Sequence, residues 1–302
     1  MTDDIGKVAV LMGGISAERE VSLKSGRRIL KALQGNEFVA VGIDADRHVL
    51  RRLEELNIDQ AFIALHGRWG EDGVIQGALE VAGIAYTGSK VLGSALAMDK
   101  VRTKIMWQGV GIPTPAYTVL TDQSDLEGVI SELGLPLFVK PSLEGSSIGI
   151  TKVETEDQLL DAWLTAHEYD DSVLVERCIQ GSELTIGILG DEALPIIRLE
   201  TPRTFYDYAA KYEVESTIYH CPSGLDSDLE LRLQKSALQA FQTLDCSGWG
   251  RVDLMLDKNN MPYFLEVNTV PGMTDHSLVP MAALARGINF EQLVRNILEL
   301  SL

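Results

Sequence analysis

Residues 250–272 read GRVDLMLDKNNMPYFLEVNTVPG. Two strand-like runs flank Asn259-Asn260, and Asn tolerates the positive φ that a tight hairpin turn demands. With those two residues at the turn, Lys258 faces Met261, Asp253 faces Glu266, and Arg251 faces Asn268. Side chains alternate with a period of two, so Arg251, Asp253, Glu266 and Asn268 share one face. Pro262 then takes a non-hydrogen-bonded position, where its missing N–H does no harm. Asp253 and Glu266 form such a pair too, with Cα atoms about 4.5 Å apart. Carboxylates opposed in this way repel unless positive charge lies between them. An exposed hairpin with solvated acids is the plain alternative. Val252, Leu254, Leu265 and Val267 instead mark a buried sheet, where idle acids are costly. A hard divalent cation meets the requirement, and Asn268 adds a carbonyl oxygen. Mg2+ is held in this manner, by one or two carboxylates together with substrate phosphates.

A second stretch, FVKPSLEGSSIGI at residues 138–150, has the glycines of a phosphate loop. It is neither G-x-x-x-x-G-K-[ST] nor G-x-G-x-x-G, because Lys140 precedes the glycines. Gly145 and Gly149 allow close approach of backbone N–H groups to an anion. Taken alone, the loop is equally an ordinary solvent turn.

Alternating strand and helix patterns over residues 1–97 predict a parallel sheet with crossover helices. Strands are expected at 7–12, 39–43, 61–65 and 83–87, with helices at 17–33, 49–56 and 75–82. One helix is expected over 98–111. A smaller α+β unit follows to residue 181, and a third section, 182–302, is rich in antiparallel strand, with helices at 229–244 and 290–298. The chain has 302 residues, ordinary hydrophobic and charged content, and a net charge of −18. That field disfavours nucleic acid and anionic membrane, so an anion site needs its own cluster of Lys and Arg. Cys178, Cys221 and Cys246 have no CxxC spacing and read as reduced cytosolic thiols. The five histidines have no i, i+4 partner. No signal peptide and no membrane span is expected.

The order K…KPSxEGSSxG…GxExT…GWGRxD…LExNxxPGMT resembles the ATP-grasp ligases. More narrowly, with GGISAEREVSLKSG, ALHGRWGEDG, FYDYAAKY and HSLVPMAA, the chain is similar to the D-alanine–D-alanine ligase family over nearly its whole length. The resemblance implies a three-domain α/β and α+β architecture, with an N-terminal parallel α/β domain (1–97) and two α+β domains (98–181 and 182–302) clasping ATP. It implies a cytoplasmic enzyme, a homodimer, that makes a peptidoglycan precursor from D-alanine and ATP with two Mg2+ ions or Mn2+ in their place.

The same resemblance implies the site residues. Lys100 and Lys140 grip phosphates, and Glu144, Gly145, Ser146 and Ser147 close over them. Glu176 and Ile179 hold the adenosine through backbone groups and apolar cover, and Glu183 accepts from the ribose. Lys211 reaches the γ-phosphate from a lid at 204–217. Asp253, Glu266 and Asn268 ligate Mg2+. Glu18, beside a helix start that favours an acid in any case, accepts the ammonium of the first D-alanine and joins Ser146 and Tyr212 in a hydrogen-bonded set. His66 lies near that substrate's carboxylate. Gly272, Ser277 and Leu278 receive the carboxylate of the second D-alanine, and Arg251 stabilises the oxyanion and the transferred phosphate. Tyr212 resembles the dipeptide-forming enzymes rather than those that accept D-lactate. Cys178 stands where the family often has a large aromatic, and Asp275 where it commonly has serine. Two other readings are an ATP-grasp ligase with a different acceptor and a nucleotide- or amino-acid-binding sensor without turnover.

Overall fold

Strand β1 (Val8–Gly13), sequence VAVLMG, is buried along its whole length. A strand without polar alternation suits a sheet covered on both faces. In the computed structural model, which describes residues 5–36, 38–145, 148–200 and 217–301, β1 lies inside a four-stranded parallel sheet. The order is β2–β1–β3–β4, with β2 Ala40–Ala45, β3 Gln60–Ile63 and β4 Ala85–Tyr86. Helices α1 (Arg19–Gly35), α2 (Val49–Glu55) and α3 (Val74–Ala82) make the crossovers. From β1 the chain steps to β2 on one side, then to β3 on the other. Open α/β sheets collect ligands at the C-terminal ends of strands beside such a switch. Glu18 follows β1 and His66 follows β3, so both stand there.

Helices α4 (Val91–Met98) and α5 (Lys100–Gly109) lead to a second, antiparallel sheet ordered β5–β8–β6–β7. Its strands are β5 Tyr117–Leu120, β6 Leu137–Pro141, β7 Thr151–Val153 and β8 Val173–Arg177. Helices α6 (Val129–Leu133) and α7 (Leu159–His167) help build its core of Leu120, Leu137, Val139, Trp163 and Val175. The third sheet is antiparallel, in the order β12–β11–β9–β13–β14 with β10 beside β9. These strands are β9 Gly181–Leu189, β10 Glu192–Ala193, β11 Ile197–Glu200, β12 Ile218–His220, β13 Trp249–Asp257 and β14 Pro262–Asn268. Helices α8 (Ser227–Thr243), α9 (Leu278–Ala285) and α10 (Phe290–Glu299) complete the described α-helices. No described helix is long and apolar enough to cross a membrane.

The helix expected over 98–111 is α5, which begins at Lys100 because Asp99 adopts an extended backbone and caps it, its side chain accepting from Arg102 N–H at 2.9 Å. The separate helix α4 before it was not expected, and one further expectation needs correction. The hairpin turn is not Asn259-Asn260 alone. The Asp257 N–H donates to Met261 O and the Asn260 N–H to Asp257 O, so the loop has a third residue, with Asn260 at φ 59°. Leu256 therefore pairs with Pro262 and Leu254 with Phe264. A bulge then restores Asp253 opposite Glu266 and Arg251 opposite Asn268.

Candidate active site

A cavity of about 480 Å3 opens between the second and third sheets. Lys140 of β6, Glu176 of β8, Cys178 and Ile179 of the following strap, Glu183 of β9, Arg251 and Asp253 of β13 and Glu266 of β14 all line it. Lys100, at the start of α5, is buried, with Nζ 2.6 Å from Glu144 O and 3.6 Å from Glu266 Oε2. Glu144 turns its side chain to Arg68, whose Nη2 is 2.7 Å away.

Behind the cavity wall stands a residue that the sequence reading missed. Lys104 is 0% exposed, with Nζ 2.8 Å from Glu176 Oε2 and 2.6 Å from Thr114 Oγ1. Lys140 contacts the other oxygen of Glu176. Burial opposes ionisation of Glu176, but the two ammonium groups outweigh it and hold the carboxyl at about 2. Burial pushes Lys104 down to about 8 against the pull of Glu176. The spacing to Lys100, i to i+4 on one helix face, was the available signal.

At the hairpin, Arg251 donates from Nε and Nη2 to the Asp253 carboxylate at 2.9 and 2.7 Å. Asp253 also accepts from Thr185 Oγ1 at 2.6 Å and Asn268 Nδ2 at 3.0 Å. Each opposed acid thus has a cationic neighbour, Arg251 for Asp253 and Lys100 for Glu266. The repulsion that the sequence argument assigned to a metal is already offset by side chains. Among the described residues no group of three or more His, Cys, Asp or Glu converges as a metal site. Two carboxylates and an amide beside an anion-sized cavity remain a hard-oxygen set, which fits Mg2+ sharing its shell with phosphates.

A smaller pocket of about 60 Å3 adjoins this one and shares Arg251 and Leu278 with it. Glu18, His66, Gly145, Asn268, Gly272 and Ser277 line it. A Cβ on Gly145 would lie 3.0 Å from Glu18 Oε2, so the glycine loop closes directly on that acid. His66 Nδ1 lies 2.8 Å from Val270 O. A carbonyl only accepts, so Nδ1 carries the proton. Burial lowers the pKa of the ring, helped by Arg251 and opposed by Glu18. Its Nε2 is 3.4 Å from Ser25 Oγ, which accepts from Met273 N–H at 3.0 Å. Ser277 precedes α9, and its Oγ accepts from Thr274 N–H at 2.8 Å. Asp275 points away to Arg28, Nη2 at 2.9 Å, so its charge is offset locally.

Glu71 also lines this pocket and was not among the expected residues. It accepts from Gly67 N–H at 2.8 Å and Val270 N–H at 3.2 Å. Burial pushes its carboxyl up to about 8, and Glu18 adds to the shift. Its only sequence signal was an acid among the glycines of HGRWGEDG. Ser146, Ser147, Lys211 and Tyr212 lie outside the described residues, as does the lid segment apart from Thr217.

A family model described as D-ala D-ala ligase C-terminus matches residues 106–299, and another, D-ala D-ala ligase N-terminus, matches 47–89. A D-alanine–D-alanine ligase of Nitrosospira multiformis is 55% identical over 298 residues, covering 99% of this chain and 97% of the relative. One from Pseudomonas fluorescens is 57% identical over 298 residues, covering 99% and 92%. The crystal structure of the Bacillus anthracis D-alanine–D-alanine ligase complexed with ATP superposes with a TM-score of 0.87 at 37% identity, covering 98% of this chain and 97% of that one. The VanG D-Ala:D-Ser ligase of Enterococcus faecalis gives a TM-score of 0.84 at 31% identity, covering 98% and 99%. The parallel sheet followed by two antiparallel sheets is the ATP-grasp arrangement of these enzymes. The chain belongs to the D-alanine–D-alanine ligase family.

Proposed function

We propose that the protein joins two D-alanine molecules into D-alanyl-D-alanine with conversion of ATP to ADP and phosphate, as a step in peptidoglycan precursor synthesis. One observation carries the reading: a lysine- and carboxylate-lined cavity of nucleotide size opens beside a small polar pocket, with Arg251 in the wall of both.

A carboxylate is a poor electrophile, and phosphorylation gives it a leaving group. A carboxylate oxygen of the first D-alanine attacks the γ-phosphorus, and the bond to ADP breaks. The amine of the second D-alanine, having lost a proton, attacks the resulting acyl phosphate, and phosphate leaves the tetrahedral intermediate. Glu18, with Ser146 and Tyr212, holds the ammonium of the first substrate. Neutral His66 sits by its carboxylate without adding a second buried charge. Gly272, Ser277, Leu278 and the N-terminus of α9 receive the carboxylate of the second substrate. Arg251 faces the developing oxyanion and the transferred phosphate. Lys100, Lys140 and Lys211 meet the phosphates under a loop of Glu144, Gly145, Ser146 and Ser147, while Glu176, Ile179 and Glu183 meet the nucleoside. Two Mg2+ ions, or Mn2+ in their place, held by Asp253, Glu266 and Asn268, would supply charge neutralisation to the triphosphate. The closed glycine loop keeps water from the acyl phosphate.

The reading makes the protein a homodimer, as the family implies, and a cytoplasmic one, where thiols such as its three free cysteines stay reduced. The test is phosphate release with D-alanine, ATP and Mg2+, with the dipeptide identified by mass. Release that does not depend on D-alanine, or none at all, ends the proposal. A different acceptor is the second reading, favoured by the likeness to the D-Ala:D-Ser ligase. Competition between D-alanine and D-serine or D-lactate for the second position decides between them.

A further inference from the structure

Lys104 lies one layer behind the nucleotide cavity. Lys140 and Glu176 line that cavity and Lys104 does not. The Lys104 ammonium is fixed by Glu176 Oε2, by Thr114 Oγ1 and by the Tyr117 ring, 5.5 Å to its centroid. The Thr114 hydroxyl donates to Phe264 O at 2.9 Å, so its oxygen is turned to accept from the lysine. Glu176 is thus shared between a lysine that no solvent reaches and one that faces the cavity. Two ammonium groups against one carboxylate leave this three-residue cluster with a single net positive charge.

We propose that Lys104 is a positioning residue: it neutralises Glu176 from behind and so leaves Lys140 available to the polyphosphate. The inference rests on the nucleotide reading of the cleft. Without Lys104, Glu176 has Lys140 as its one close cation, and the pair is neutral. An arriving phosphate must then pull Lys140 from a buried carboxylate that has no other partner, which is costly. With Lys104 present, Lys140 can leave Glu176 while the carboxylate stays paired. The depressed pKa of Lys104 accords with a cation held by geometry rather than by water.

Calorimetric titration of the full chain with ATP and Mg2+ tests this. K104M is expected to weaken ATP about tenfold, the order expected for one unit charge near a polyphosphate. K104M/E176Q is expected to bind within about threefold of wild type, because removing the carboxylate returns Lys140 to the nucleotide while the backbone groups through which Glu176 meets the nucleoside are unchanged. A merely structural role for Lys104 gives no such rescue. Wild-type affinity in K104M, or a double variant that binds no better than K104M, overturns the proposal. Should K104M not fold, the double variant decides alone: near-wild-type binding supports the proposal and weaker binding overturns it. A wild-type protein that binds no ATP sinks the nucleotide reading instead.

Discussion

Arg251 forks onto Asp253 through Nε and Nη2 and stands between the two pockets. Lysine keeps the charge but cannot reproduce the fork. R251K is expected to lower kcat by about 10^2-fold or more, the scale of losing an oxyanion donor, while ATP affinity changes far less. ADP release and calorimetry measure the two separately, and an unchanged kcat would remove Arg251 from the chemistry. Glu71 makes a pH prediction. Its carboxyl is raised from 4.5 to about 8 in the fold, so the folded state holds the proton more tightly than the unfolded chain. That contribution to stability is present in full below pH 4.5 and is lost as pH rises through about 8. The melting temperature of wild type is therefore expected to fall from pH 5 to 8.5 by about 2 °C or more relative to E71Q, which cannot titrate. Parallel curves for the two proteins contradict the assignment. Both Glu71 and Lys104 escaped the sequence reading for one reason. Their partners, Val270 and Glu176, are remote in the chain, and burial by remote segments leaves no local pattern. Glu18, His66 and Ser277, which the family resemblance singles out through the motifs around them, do line one pocket.

The hairpin shows how a one-residue error in a turn can cancel. Counting outward from a two-residue loop puts Asp253 opposite Glu266, and so does the fold. The fold arrives there differently: a three-residue loop shifts the register by one, and the bulge beyond Leu254 shifts it back. Alternation of polar and apolar residues was visible on both sides of the bulge, whereas the bulge itself carries no Gly or Pro to announce it. Helices α4, VLGSALAM, and α9, LVPMAALA, went unread because they are apolar nearly all round and show no 3.6-residue period. Asn260 tests the loop geometry. At φ 59° a β-branched side chain is strained. N260V is expected to cost roughly 1–2 kcal/mol and lower the melting temperature by several degrees, while N260G is neutral or slightly stabilising. Equal melting of N260V and N260G would mean that the loop does not hold this conformation in solution.

On the scale of the whole molecule, the first sheet and the last two helices share one hydrophobic core: Leu11, Phe62 and Ile63 pack in the same cluster as Val279, Val294 and Ile297. Polar ties cross the same boundary, from His66 and Glu71 to Val270 and from Ser25 to Met273. The α5 helix buries Trp107 in the core of the third sheet, with Nε1 2.9 Å from Ala240 O. The second sheet has a core of its own. Chain order alone could not reveal that residues near 10 and 295 share a core. Such a body makes two walls of the nucleotide cleft differ in kind: the third sheet belongs to a large packed unit, whereas β6 and β8 belong to a small one. Within a chain of net charge −18, the lysines at that seam are the local attraction for a triphosphate. Ligand closure should therefore be recorded mainly on the small side. At short labelling times, before global opening contributes, ATP with Mg2+ is expected to slow hydrogen exchange in residues 137–153 and 173–183 and to leave α1 and α10 unchanged. Protection confined to α1 and α10, or none at 137–153, would mean that the nucleotide does not enter between these two sheets.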